Sequence, residues 1–236
     1  MKTFLAILFV LTVINIISYT DENKSSFAIN SPLRSDINES FAFLNQYQEC
    51  IDSMKELRGK KYEILAVVFP EIIRWNAFQD IIETGMNEIS NNNADFSIGI
   101  FQMKPSFVKN MENYVIKYDI KECDYILIQN LDDQDVSTER ISRLSQPYWQ
   151  FKYACAYWRI AEHRFQGMNF NNMEERIQFY ATAYNYGFLS SIDEIQKWQN
   201  KRVFPYGSKY PKPQDSYSSI SLIYYNFHKA TKNKVL

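Results

Sequence analysis

Apolar residues recur at threes and fours over most of this chain, and helices are the elements that spacing predicts. Phe41, Phe43, Leu44, Tyr47, Ile51, Met54 and Leu57 approximate one such stripe, so the chain turns helical from Phe41. From Tyr62 to Phe69 the residues Ile64, Leu65, Val67, Val68 and Phe69 are apolar almost all round. That is the pattern of a deeply buried helix, although the β-branched residues also allow a short strand. Pro70 follows, lacking a backbone N–H and clashing with a preceding turn. It is expected to kink the element or to open a new one as its first residue. A helix then continues from Ile72 through Phe78, Ile82, Met86 and Ile89 and stops at Ser90-Asn91-Asn92-Asn93. Trp149, Tyr153, Ala156, Tyr157, Ile160, Ala161 and Phe165 predict the next clear helix. Others are expected near Met173 to Tyr184, Ile192 to Trp198 and Tyr217 to Ala230, with Pro205, Gly207, Pro211 and Pro213 in the connection before the last. Residues 119–138, with Asp132, Asp133 and Asp135, read as an irregular acidic stretch leading into a helix that Ser137 or Thr138 caps. Strand-type alternation is scarce and no repeat is evident. The expected fold class is mainly α.

Composition narrows the picture further. At 236 residues and 46% apolar content the chain can bury one sizeable core, so a single main domain is expected over residues 41–236. A formal net charge of -1, without a long run of one sign, lacks the basic footprint of a nucleic-acid binder. The 17 Tyr, 17 Phe and 4 Trp suit a sugar groove, where rings stack on pyranose faces, and suit an aromatic core equally well. At the N-terminus, Lys2 precedes an apolar run from Phe4 to Ile17, and Ser18-Tyr19-Thr20 follows. This is the layout of a secretory signal peptide over residues 1–20, short for a membrane span, and it predicts an exported protein. Residues 21–40 are polar and turn-rich, a flexible lead-in. Three cysteines, Cys50, Cys123 and Cys155, allow one disulfide in any of three pairings. His163 and His228 share no ligand-spaced cluster with a Cys, so no metal is expected.

Three strings carry candidate chemistry. Phe69-Pro70-Glu71 places a carboxylate among Val67, Val68, Ile72 and Ile73. Desolvation there disfavours the charged form and raises the pKa, so Glu71 stays protonated near neutral pH and can act as a general acid. A structural role competes: a Glu favoured at a helix start by the dipole, or one paired with Arg74 a turn away. The second string runs from Ser97 through Gly99, Phe101, Gln102 and Met103 to Pro105. Gly99 permits close backbone approach, and Gln102 carries a donor and acceptors suited to sugar hydroxyl or acetamido groups. Met103 and Phe101 would line or underlie a groove, and Ser97 would position the turn. An ordinary loop into a helix starting near Pro105 is the alternative. In Ala183-Tyr184-Asn185-Tyr186-Gly187, a phenol and an amide stand at a helix end that Gly187 terminates. They could bond the catalytic carboxyl or the substrate, or simply close a helix.

A glutamate, then Gly-x-x-Gln-Met-x-Pro, then Ala-Tyr-Asn-x-Gly, in that order, resembles the soluble lytic transglycosylases. The resemblance covers about residues 60–190 and includes Tyr153 to Ile160 with Arg164-Phe165, similar to the family helix before the Ala-Tyr-Asn segment. It implies a lysozyme-like lytic transglycosylase domain that cleaves the glycan strands of peptidoglycan. Glu71 would be the sole catalytic acid/base, with Ser97, Gly99, Gln102 and Met103 along the sugar groove and Tyr184 and Asn185 beside the catalytic centre. The resemblance implies no cofactor, a monomer in the periplasm or cell envelope, and envelope or secretion machinery as candidate partners. Ile72 stands where the family usually has Ser, the gap from Glu71 to Gly99 is longer than common, and Tyr186 replaces a small residue. Two alternatives accompany it. A lysozyme-type hydrolase would use a second carboxylate, first Asp95 and then Asp80 or Glu83. A non-catalytic peptidoglycan-binding protein would keep the groove but hold Glu71 buried and salt-bridged to Arg74.

Overall fold

The structure, a computed structural model, describes residues 31–83, 95–129 and 132–233. The expected leader at residues 1–20 and the expected helix stop at residues 90–93 lie outside them. Among the described residues the fold is mainly helical, with two isolated antiparallel bridges, Ile98 to Met103 and Phe204 to Asp215, in place of strands.

The first apolar stripe forms α1 (Arg34–Asn45), α2 (Gln48–Ser53) and a 3₁₀ turn over Lys55–Leu57. The helix begins before Phe41, because Leu33, Ile37, Phe41 and Leu44 form one buried stripe that starts two turns upstream. Residues 34–40, expected in the lead-in, therefore belong to the packed domain.

Next comes α3 (Lys61–Glu83), one helix with Pro70 inside it. Pro70 opens no new element, contrary to one of the two expectations, and the strand alternative for residues 62–69 falls away. An internal proline costs about 3 kcal/mol or more. Burial offsets that cost here: every residue from Ile64 to Ile73 is buried, and each large apolar side chain among them contributes about 1.5–3 kcal/mol. The all-round apolar pattern has a direct cause, since α3 packs against four later or earlier helices, α1 among them.

Those others follow in order: α4 (Pro105–Tyr118), a 3₁₀ turn over Lys121–Ile126, α5 (Asp133–Leu144), α6 (Pro147–Arg164), α7 (Met173–Tyr186), α8 (Ile192–Gln199) and α9 (Tyr217–Asn233). Helices α6, α7 and α9 surround α3 together with α1. The cap of α5 is Asp132, whose carboxylate accepts from Asp135 N at 2.9 Å. Ser137 and Thr138, expected as caps, lie inside the helix, because the extended Asp132 offers its oxygen to the free amides one turn earlier. Asn172 caps α7 in the same way, and Ser191 with Glu194 forms a capping box on α8. Glu112 of α4 and Arg140 of α5 form a buried ion pair with contacts of 2.6–3.2 Å. Phe69 meets Phe41 of α1 and Tyr224 of α9 at ring-centroid distances of 4.9 and 4.6 Å. No described helix is long and apolar enough to cross a membrane.

Candidate active site

Glu71 follows Pro70 directly on α3, at the junction with α7 and α9, and is 2% exposed. Burial pushes its carboxyl above the ordinary carboxylate range, while Arg74, the Tyr217 hydroxyl and the Asn185 amide each oppose the rise. Arg74 Nη1 donates to Oε1 at 2.8 Å and to Oε2 at 2.7 Å. The same guanidinium stands over the Phe204 ring, 4.7 Å from its centroid. Tyr217 Oη, on α9, is enclosed beside the carboxyl but makes no hydrogen bond of good geometry.

The Gly99 segment is a tight reverse turn. Ile98 N donates to Met103 O at 2.9 Å and Met103 N to Ile98 O at 3.1 Å, closing a four-residue loop. Two of its residues sit at positive φ, Gly99 at 72° and Gln102 at 48°. Only glycine fits at residue 99 for two reasons. The left-handed backbone disfavours a side chain, and an added Cβ would lie 2.7 Å from Leu144 O and closer still to Gln150 Nε2.

Gln150 fastens this loop from α6. Fully buried, it donates from Nε2 to Ile98 O at 2.9 Å and Leu144 O at 2.7 Å, and accepts from Phe101 N at 3.1 Å. Sequence reasoning did not single it out. The available signal was an amide set next to Phe151 in an apolar helix, where a polar group must find partners. Gln102 bends its amide back to Gly99 O at 2.9 Å, so part of its bonding capacity stabilises the turn.

Helix α7 meets the loop from the other side. Tyr184 Oη donates to Phe101 O at 2.8 Å. This phenol thus directs its proton to the loop while its residue also lines the cleft. Asn185 accepts from Trp198 Nε1 at 3.3 Å through Oδ1, which leaves its NH₂ as the end available to the Glu71 carboxyl.

These groups border one cleft of about 310 Å³. Glu71, Ser97, Gln102, Met103, Tyr184 and Asn185 line it, and Arg74, Lys104 and Asn110 join them. Gly99 does not line the cleft; it makes the turn that brings Gln102 and Met103 to it. Asp95 stands at the rim with its carboxylate engaged, accepting from Ser106 N at 3.0 Å and from the Ser106 hydroxyl. It thereby serves the first turn of α4. The side chains of Asp80 and Glu83 lie outside the described residues.

Among the described residues no group of three or more His, Cys, Asp or Glu is placed to share a metal ion. His163 bonds Tyr114 Oη at 3.0 Å, and His228 stacks on Tyr62 at 4.4 Å. Cys50, Cys123 and Cys155 are free thiols, and burial pushes those of Cys123 and Cys155 up to about 12. In comparisons with protein-family models, curated proteins and solved structures the chain finds no match, so a functional reading rests on the geometry of this cleft.

Proposed function

We propose that this protein is a lytic transglycosylase with a lysozyme-like domain, exported to the periplasm or cell envelope, that cleaves the β-1,4 bond between N-acetylmuramic acid and N-acetylglucosamine. One observation carries the proposal: three motifs far apart in sequence, at Glu71, Ser97–Met103 and Tyr184–Asn185, border a single cleft. A desolvated carboxyl at the floor of a polar cleft is the arrangement a general acid needs.

In the proposed reaction Glu71 donates its proton to the leaving glycosidic oxygen as an oxocarbenium-like centre develops. The resulting carboxylate takes the proton of the muramyl 6-hydroxyl, whose oxygen attacks the anomeric carbon. A 1,6-anhydro end forms, Glu71 regains its proton, and no second protein carboxylate is required. Gln102 and Asn110 offer amide groups along the cleft for sugar hydroxyl or acetamido groups. The enzyme acts as a monomer on glycan strands, with envelope or secretion machinery as candidate partners.

A second reading has its own observation. Glu71 is 2% exposed and both its oxygens are held by Arg74, which favours a protein that binds peptidoglycan without turnover. The hydrolase alternative gains no such support, because Asp95 spends its carboxylate on Ser106.

Mass spectrometry of purified peptidoglycan treated with the protein from Asp21 onward, and with its Glu71→Gln variant, tests the proposal. Anhydro-muramyl products from the parent protein alone are expected. Reducing-end products would replace it with hydrolysis, and intact peptidoglycan with retained binding would favour the non-catalytic reading.

A further inference from the structure

The Arg74–Glu71 pair is unequal in a way the reaction scheme above does not use. The arginine side chain is 23% exposed and the glutamate side chain 3%. Both line the cleft, and Arg74 is the more accessible of the two to an arriving ligand. The cleft carries equal numbers of charges of each sign among the described residues. Its lining cations are Arg74 and Lys104, and its carboxylates are Glu71 and Asp95. Asp95 is committed to Ser106, and Lys104 is exposed with no ion pair among the described residues. A ligand carboxylate entering here meets the unpaired Lys104 and the Arg74 guanidinium, whose charge is so far shared only with Glu71.

An arginine can grip an incoming carboxylate through two parallel bonds, whereas it now reaches Glu71 through Nη1 alone. A ligand that takes Arg74 leaves Glu71 charged, buried and unpaired. That state is costly, and a buried carboxyl escapes it by taking up a proton. The other groups facing Glu71 cannot substitute for the lost charge. From α7 they are Tyr184 and the neutral Asn185, and from α9 Tyr217; burial holds both phenols well above their ordinary range. Tyr217 Oη, enclosed beside the carboxyl without a hydrogen bond of good geometry, is near enough to tighten its hold once Arg74 has left.

We propose that the cleft selects glycans bearing a carboxylate beside the scissile linkage, and that this carboxylate draws Arg74 off Glu71, so that binding itself arms the acid. The proposal rests on the glycan-cleaving assignment and deepens it: the ion pair that marks an idle carboxylate in the free protein becomes the device that keeps it idle until substrate arrives. Arg74 is then a positioning and selecting residue acting through Glu71. In peptidoglycan the carboxylate has two sources, the lactyl group of a bare muramyl sugar or the peptide stem attached to it.

Titration calorimetry in two buffers of different ionisation enthalpy reads the proton count directly. Three disaccharides without the cleavable bond serve as probes: GlcNAc-MurNAc with its free lactyl group, the same sugar carrying its peptide, and chitobiose. A carboxylate-bearing disaccharide is expected to bind about tenfold tighter than chitobiose. Its binding takes up as much as about one proton near neutral pH, while chitobiose takes up none. Whichever muramyl probe shows the uptake identifies the source. Arg74→Gln is expected to lose both the preference and the uptake, and Arg74→Lys to keep part of each. Equal affinity for chitobiose, binding without proton uptake, or no binding by any probe overturns the proposal. The wild-type measurement needs no variant to fold, and the cleavage assay on whole peptidoglycan is independent of it, so failure of the gate and failure of the enzyme assignment are told apart.

Discussion

Replacing Gln150 by Leu should release the loop that carries Gln102 and Met103, and the structure sets the size of the effect. Gln150 satisfies Phe101 N, Ile98 O and Leu144 O from a fully buried position. Ile98 O keeps a second partner in Met103 N, so two groups are left without the partner they had, the Phe101 amide and the Leu144 carbonyl. A buried polar group stripped of its partner costs about 1–3 kcal/mol. Leucine restores most of the lost volume, which keeps the cavity contribution small. The expected loss is therefore about 2–6 kcal/mol in urea denaturation, with an unchanged denaturant dependence. Gly99→Ala supplies a second arm, since its Cβ would press on both Gln150 and Leu144 O. Made in the Gln150→Ala background, it should cost less than in the parent, because one of the two clashes is gone. The positive φ and the Leu144 contact keep the remaining cost above zero. A loss below about 1 kcal/mol for Gln150→Leu, or strict additivity of the two changes, would refute the claim that Gln150 fastens the loop.

Further outcomes follow from buried ionisable groups. Burial first, and the Lys61 charge second, lower His228 to about 4 against an unfolded value near 6.5, so the native state binds the proton less readily. Its stabilising contribution is complete above about pH 6.5 and is lost as pH falls toward 4, by at most about 3 kcal/mol; His228→Phe should flatten that part of a stability–pH curve measured by urea denaturation. Arg140→Ala should cost about 3–5 kcal/mol by stranding Glu112, whereas the joint change Arg140→Met with Glu112→Leu should come close to neutral, as thermal melting can check. In the native protein Cys50, half-buried, should react with an aromatic disulfide reagent well before Cys123 and Cys155, whose thiols burial pushes up to about 12; equal rates for all three would contradict the packing of α6.

Much of the helical order is legible along the chain because its causes are local. Periodicity marks α6, α7 and α9, Pro147 begins α6 at a position that suits proline, and Ser191 with Glu194 writes a capping box into four residues. The stripe of α1 is equally visible once Leu33 and Ile37 are counted with Phe41 and Leu44. The candidate site residues were legible as types, since a carboxylate in an apolar run and a turn built on a glycine announce themselves wherever they fold.

Their partners were not legible. Pro70 inside α3 contradicts a local rule, and its position there is sustained by helices drawn from both ends of the chain. Gln150 reaches a loop 49 residues away at Phe101, and Tyr184 reaches the same residue across 83. Whether Glu71 would face Arg74, water or substrate depended on what closed over it. A mainly helical chain with a desolvated glutamate and a sharp Gly99 turn is written locally, because propensity, periodicity and capping act within a few residues. That Gln150 pins the turn, that Tyr184 bonds backbone and that Arg74 holds Glu71 follows from the packed fold, because a buried polar group takes whatever partner folding brings within hydrogen-bonding reach.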